Sequence, residues 1–219
     1  MKKWFAMTTI DYIKAENEST DVDILEQYLF PSPVYRIENL PNVNRDAIEE
    51  VCRTRMSFDQ GRNVSNQNGW QSHDLVEAEY KHLPIVGLWD ECIDISKKIG
   101  DKAGLSSRYE HSVGTSWINI NSSKDDYNQS HCHPGTYLAC VYYVKCQEGS
   151  GDIVFCDPRV GHAANVLHHD KLTGVNCVEA YMQPKQGELL LFPGWLYHFV
   201  TRNTNDEDRI TIATNIVLR

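Results

Sequence analysis

The sequence predicts a mainly β fold of the α+β class, with a sandwich or barrel in its second half closed by helices from its first. Two observations predict it. Before about residue 110 the apolar residues recur every three to four positions, the period of a helix; after it they come in short runs bounded by turn residues. The chain also has no internal repeat and no long Pro/Gly/Ser linker, so its 219 residues are expected to form a single domain. In that expectation residues 1–111 support a β core over 112–219.

Each element has a local cause. Asn44 followed by Arg45, Asp46, Ala47 and Ile48 gives a capped helix start with an acid in its first turn, predicting a helix up to Cys52. Leu88, Trp89, Cys92, Ile93, Ile95 and Ile99 predict a second helix over about 85–100, and Pro84 separates it from a short lead-in because proline is tolerated only at a helix start. The Asn-, Gln- and Gly-rich stretch from Gly61 to Ser72 reads as an exposed loop. Strands are predicted at Gly114–Ile120, Tyr137–Lys145, Asp152–Cys156, Val178–Met182, Glu188–Phe192, Trp195–Thr201 and Ile210–Leu218, with turn chemistry at 148–151, 183–187 and 203–206.

Composition narrows the function. A hydrophobic fraction of 41% suffices for a core. Twenty-one basic against 30 acidic residues leave a net charge of −9, which argues against nucleic-acid or anionic-membrane partners, since phosphate contacts need a basic surface. No apolar run reaches the roughly 18–20 residues of a membrane span, and Asp11, Lys14 and Glu16 follow the N-terminal lysines too soon for a signal peptide. The seven cysteines are odd in number and contain no Cys-x-x-Cys pair, which fits free thiols in a reducing compartment. A cytoplasmic protein is expected.

Six of the nine histidines fall after residue 130. His131 and His133 are two apart, so in extended chain both point to one face, and His198 lies on a later predicted strand that an antiparallel barrel could bring alongside. Two neighbouring imidazoles and a remote one make a facial set that leaves metal positions open. A His-x-His pair also arises by chance on a polar loop edge, so its meaning depends on the residues downstream of it. Eleven residues after His198 comes Arg209, with Thr211 two further on the same strand face; a guanidinium and a hydroxyl so placed can hold a carboxylate. A rim ion pair with Asp206, Glu207 or Asp208 is the alternative. Arg159 in Asp157-Pro158-Arg159 is a candidate anion contact near the barrel mouth, with an ion pair to Asp157 as its alternative. The connection from Val160 to Cys177 is longer than a hairpin needs and could be a lid; its histidines 162, 168 and 169 are solvated or metal-binding.

The segments Trp117-Ile118-Asn119-Ile120-Asn121, His131-Cys132-His133-Pro134-Gly135, Val141-Tyr142-Tyr143-Val144, Gly149 through Arg159, Pro184 through Pro193, His198 and Arg209-Ile210-Thr211 stand in this order. Together they resemble the iron(II)/2-oxoglutarate-dependent oxygenases of the double-stranded β-helix fold (jelly-roll, cupin-like), near the prolyl-4-hydroxylase-like branch. The likeness is greatest to a small bacterial and phage group with a His-x-His…His motif. It covers about residues 112–219, and Phe30 through Tyr35 resembles the family's first strand. The resemblance implies Fe(II) and 2-oxoglutarate as cofactors, and His131 and His198 as iron ligands with His133 completing the catalytic set. It also implies Arg209 and Thr211 on the distal carboxylate of 2-oxoglutarate, and Tyr143 and Asn119 beside the cosubstrate; for these last two, core packing is the alternative. Partners would be 2-oxoglutarate, O2 and an unidentified substrate, a peptidyl side chain or a small metabolite, with a homodimer as a candidate assembly.

One position departs from the wider superfamily, which has His-x-Asp where this chain has histidine at 133. A neutral imidazole in place of a carboxylate removes a negative charge from the metal. Asp125, Asp126 or Asp152 could complete the ligand set instead. The departure also feeds a rival, a three-histidine cupin-type dioxygenase without 2-oxoglutarate; a non-catalytic jelly-roll binding module is a second. Arg209 and Thr211 discriminate, because an enzyme without a dicarboxylate has no use for them.

Overall fold

The computed structural model describes residues 13–14, 25–26, 28–80, 83–159, 161 and 167–219. The chain divides into two units, Met1–Ser32 and Pro33–Arg219. The first contains a two-residue antiparallel ladder, β1 (Ile13–Lys14) against β2 (Leu25–Glu26). The second contains the site, and its elements run β3 (Tyr35–Ile37), α1 (Arg45–Phe58), β4 (Asn66–Gln67), β5 (Trp70–Gln71), α2 (Glu77–Tyr80), α3 (Ile85–Lys102), β6 (His111–Asn121), β7 (Tyr127–His131), β8 (Leu138–Lys145), β9 (Ile153–Cys156), β10 (Glu179–Met182), β11 (Leu189–Pro193), β12 (His198–Val200) and β13 (Arg209–Leu218).

The strands form two antiparallel sheets. The smaller has order β10-β9-β12-β7-β4, the larger β3-β11-β8-β13-β6-β5, and the pair makes the double-stranded β-helix expected from the sequence. The larger sheet is covered on both faces, which is why β8 reads as an almost continuous apolar run. On its outer face lie α1 and α3: Ile48, Cys52, Leu88, Trp89 and Cys92 pack against Ile118, Ile120, Tyr142 and Ile212. Burying each Ile or Leu there contributes roughly 1.5–3 kcal/mol. Between the sheets a second cluster joins Ala139, Tyr143, Ile153, Phe155, Leu190, Phe192 and Leu196. The Trp89 indole N–H donates to Ser116 Oγ at 3.1 Å and fixes α3 on β6.

Several expectations change in detail. The first helix starts as predicted, with the Asn44 side chain accepting from Ala47 N, but runs on to Phe58. Asn66–Gln67 and Trp70–Gln71 are not loop: β4 pairs with β7 and β5 with β6, so this segment bridges both sheets, and Asn66, Gln71 and Ser72 are buried. Polar composition concealed it, because these side chains find partners inside; the Asn66 amide donates to Gly69 O at 2.7 Å. The predicted strand over 195–201 shortens to His198–Val200, and β7 is an addition to the predicted strands. The supporting half of the chain thus supplies strands β3, β4 and β5 to the two sheets as well as helices.

Candidate metal and cosubstrate site

Register builds the metal end. On β12 and β7, His198 and His131 are direct partners, so their side chains share the inner face of the smaller sheet, with ring centroids 4.4 Å apart. His133 lies just past β7. Its backbone N–H donates to Gly194 O at 2.7 Å, and the ring stacks between Trp117, at 5.7 Å, and His198, at 5.2 Å. Gly194 is required for this: a Cβ there would collide with the Thr136 carbonyl and stand 2.9 Å from the His133 carbonyl.

The outer nitrogen of each imidazole is engaged. His131 Nδ1 meets Gln129 O at 2.7 Å, His198 Nδ1 meets Leu196 O at 3.0 Å, and His133 Nδ1 meets Asn215 Oδ1 at 2.7 Å. A carbonyl can only accept, so Nδ1 carries the proton and each Nε2 presents a lone pair. One ring nitrogen from each residue lies within 4.8 Å of the others, the only such group of three or more His, Cys, Asp or Glu donors among the described residues. His133 Nε2 is buried without a hydrogen-bond partner. Burial pushes the pKa of His133 down to about 4 and that of His198 to about 3, and lowers that of His131. Three convergent imidazoles, two of them buried and one half-buried, fit a divalent transition metal. None of Asp125, Asp126 and Asp152 belongs to the group: Asp125 pairs with Arg202, and Asp126 Oδ2 caps the backbone N–H groups of Ser122 and Ser123.

The other end of the cavity belongs to the larger sheet. On β13, Arg209, Thr211 and Ala213 alternate onto the inner face opposite Asn121, Asn119 and Trp117 of β6, while Thr211 also pairs with Tyr143 on β8. Arg209, Thr211, Tyr143 and Asn119 line the same cavity as the three histidines, with Ser65 and Asn128 where β4 meets β7. Arg209 is 3% exposed, its guanidinium lies 5.3 Å from the Tyr143 ring centre, and its Nε has no partner. The Tyr143 hydroxyl and Asn119 Oδ1 are likewise buried without partners. Burial pushes the Tyr143 pKa up to about 12, although the Arg209 charge pulls the other way.

The acids that could have neutralised Arg209 are occupied elsewhere. Asp208 pairs with Arg53 at 2.8 Å, Glu207 with Lys145 at 3.1 Å and Asp206 with Lys124 at 3.4 Å. Arg159 lies apart, its half-exposed guanidinium paired with Asp157 at 2.7 Å, and it is not among the cavity-lining residues. His168 and His169 are exposed, and His162 lies outside the described residues. Sequence reasoning missed Asn215, Gly194, Ser65 and Asn128. For Asn215 a signal existed, since it continues the alternation of Arg209, Thr211 and Ala213.

The fold and the site define a jelly-roll protein with a three-histidine metal centre facing a buried cation. The model of a family described as "Putative 2OG-Fe(II) oxygenase" matches residues 115–215, the span that carries all of these groups except Ser65. No curated protein sequence gives a significant match. Among solved structures, a Pseudomonas putida prolyl-4-hydroxylase is similar with a TM-score of 0.59 and 11% identity, over 86% of this chain and 94% of that one. A prolyl hydroxylase from Trichoplax adhaerens in complex with a hypoxia inducible factor peptide fragment gives 0.59 and 14%, over 84% and 83%. HygX from Streptomyces hygroscopicus, with nickel and 2-oxoglutarate bound, gives 0.55 and 12%, over 85% and 83%. Residues 115–215 are thus similar to a family of 2-oxoglutarate/Fe(II)-dependent oxygenases, and these solved structures share the fold of the chain.

Proposed function

We propose that this protein is a 2-oxoglutarate/Fe(II)-dependent oxygenase that hydroxylates a peptidyl side chain or a small metabolite, with His131, His133 and His198 as the iron ligands and Arg209 as the anchor of 2-oxoglutarate. One observation carries the assignment of the anchor: Arg209 is buried without a carboxylate partner at the far end of a cavity that begins at the three imidazoles. A buried guanidinium without a counter-charge is costly, and a dicarboxylate reaching from the metal would repay that cost.

When bound, Fe(II) and 2-oxoglutarate supply the oxidative chemistry, in which O2 is consumed, 2-oxoglutarate becomes succinate and CO2, and the substrate gains an oxygen atom. The chain's own residues position and exclude. Arg209 and Thr211 take the distal carboxylate; Tyr143, protonated through the neutral range, donates its hydroxyl hydrogen to the same group. Asn119 offers a carboxamide along the path. Phe155, Phe192 and Ile153 wall the space between the sheets and keep water out.

Substrate size is left open by the related structures, since the Trichoplax enzyme is in complex with a peptide fragment and HygX also has a structure with hygromycin B bound. The Arg159–Asp157 pair, with only the arginine half-exposed, follows β9 and belongs to the substrate side in this reading rather than to the cosubstrate. Free cysteines throughout support a cytoplasmic location. Mixing the protein with Fe(II) and 2-oxoglutarate without oxygen is expected to give a weak visible charge-transfer band, followed by succinate on admitting air. The absence of both would overturn the reading.

A further inference from the structure

The three imidazoles are not held alike. His131 and His198 each donate Nδ1–H to a main-chain carbonyl two residues earlier, Gln129 O and Leu196 O, so their own strands orient them. His133 instead meets a side chain 82 residues away, Asn215 Oδ1, at 2.7 Å. The Asn215 amide nitrogen donates to Thr115 Oγ1 at 3.0 Å, which turns the amide oxygen toward the imidazole. The backbone serves the same end. Thr115 and Asn215 are direct partners on β6 and β13, and the register slips between Asn215 and Ile216, a bulge of the kind that re-aims a side chain beside a site.

We infer that Asn215 is the positioning residue that makes His133 a metal ligand, through the Thr115–Asn215–His133 relay. A histidine at this position needs something that a carboxylate would not. Its ring has two inequivalent nitrogens, and only the tautomer with hydrogen on Nδ1 presents a lone pair at Nε2. With Asn215 accepting that hydrogen, the ring is fixed in tautomer, and the Trp117 stack at 18° fixes its plane. Without the acceptor, a buried N–H is left unpaired, and turning the ring to satisfy it takes Nε2 away from the other two nitrogens.

The inference rests on the three-histidine reading, and Co(II) as a probe separates the two. Binding is followed by competition with a chromophoric chelator and by the visible d–d spectrum of the cobalt protein. Wild type should take up one Co(II) per chain; if it takes up none, the three-histidine reading itself fails. Asn215→Leu keeps the volume and removes the acceptor, and is expected to lower Co(II) affinity about 10- to 100-fold and alter the d–d bands. Asn215→Asp keeps an acceptor and should hold affinity at or above wild type. Should Asn215→Leu fail to fold, Asn215→Ser, too short to make the contact, takes its place in the comparison. A folded Leu or Ser variant with wild-type affinity and spectrum would overturn the inference, as would an Asp variant as weak as Leu.

Discussion

The two sheets contribute to one cavity by different means. The smaller sheet brings its groups together at strand ends: His131 closes the five-residue β7, His198 opens the three-residue β12, and His133 sits in the turn beyond. The larger sheet places Arg209 and Thr211 by alternation along the ten-residue β13, held in register by β6 on one side and β8 on the other. Metal geometry therefore depends on turns and close approaches, and the cosubstrate end on a long ladder and the charge buried in it. The first end is built of imidazoles, the second around a buried guanidinium.

Acid should expose this difference most strongly. In the unfolded chain His133 and His198 take up protons near their ordinary value of 6.5, while in the fold burial holds them down to about 4 and about 3. Stability present above pH 6.5 is thus lost progressively as pH falls toward those values, because the unfolded state binds protons first. The metal-free protein is expected to show a melting temperature that drops steeply between pH 6.5 and 4. Replacing His198 with Gln should flatten that profile, and an unchanged slope would show that the site histidines are not its source.

At the other end, Arg209→Met should weaken 2-oxoglutarate by about 2–4 kcal/mol, on the order of 30- to 1,000-fold, since a buried charge pair loses one partner. The same change should leave the ligand-free melting temperature equal or higher, because it removes an unpaired buried cation. Isothermal titration and thermal melts on one preparation check both halves, and a variant that binds normally would take Arg209 out of the site.

Gly194→Ala tests the turn from β11 to β12 that joins the two sheets. With no room for a Cβ beside the Thr136 and His133 carbonyls, it should cost about 1–3 kcal/mol in chemical denaturation. It should also loosen metal binding, and a neutral result would mean that the turn can shift without disturbing His133.

How legible these parts were depends on the same contrast. The strand face shared by Arg209 and Thr211 is visible in the sequence because alternation along a strand is a rule of the backbone. That Asp206, Glu207 and Asp208 would all be taken by Lys124, Lys145 and Arg53 is not, since those partners come from three distant segments. The His-x-His spacing suggests one face for His131 and His133, but the contact of His133 with Asn215 and Gly194 depends on a bulge and a turn that spacing does not encode. The strand pair at 66–71, one strand in each sheet, was hidden for a related reason: polar residues that find interior partners look the same in a sequence as those that face water.

The engagement of those three acids elsewhere has a consequence for the life of the protein. In the proposed function Arg209 takes its counter-charge from 2-oxoglutarate, so the folded state would be completed by a metabolite and ligand saturation would add directly to folding free energy. That addition is about 2.7 kcal/mol at a hundred times the dissociation constant. A cell rich in 2-oxoglutarate would keep more of this protein out of reach of its proteases than one that is depleted, so the abundance of the enzyme, as well as its turnover, would track the supply of its cosubstrate.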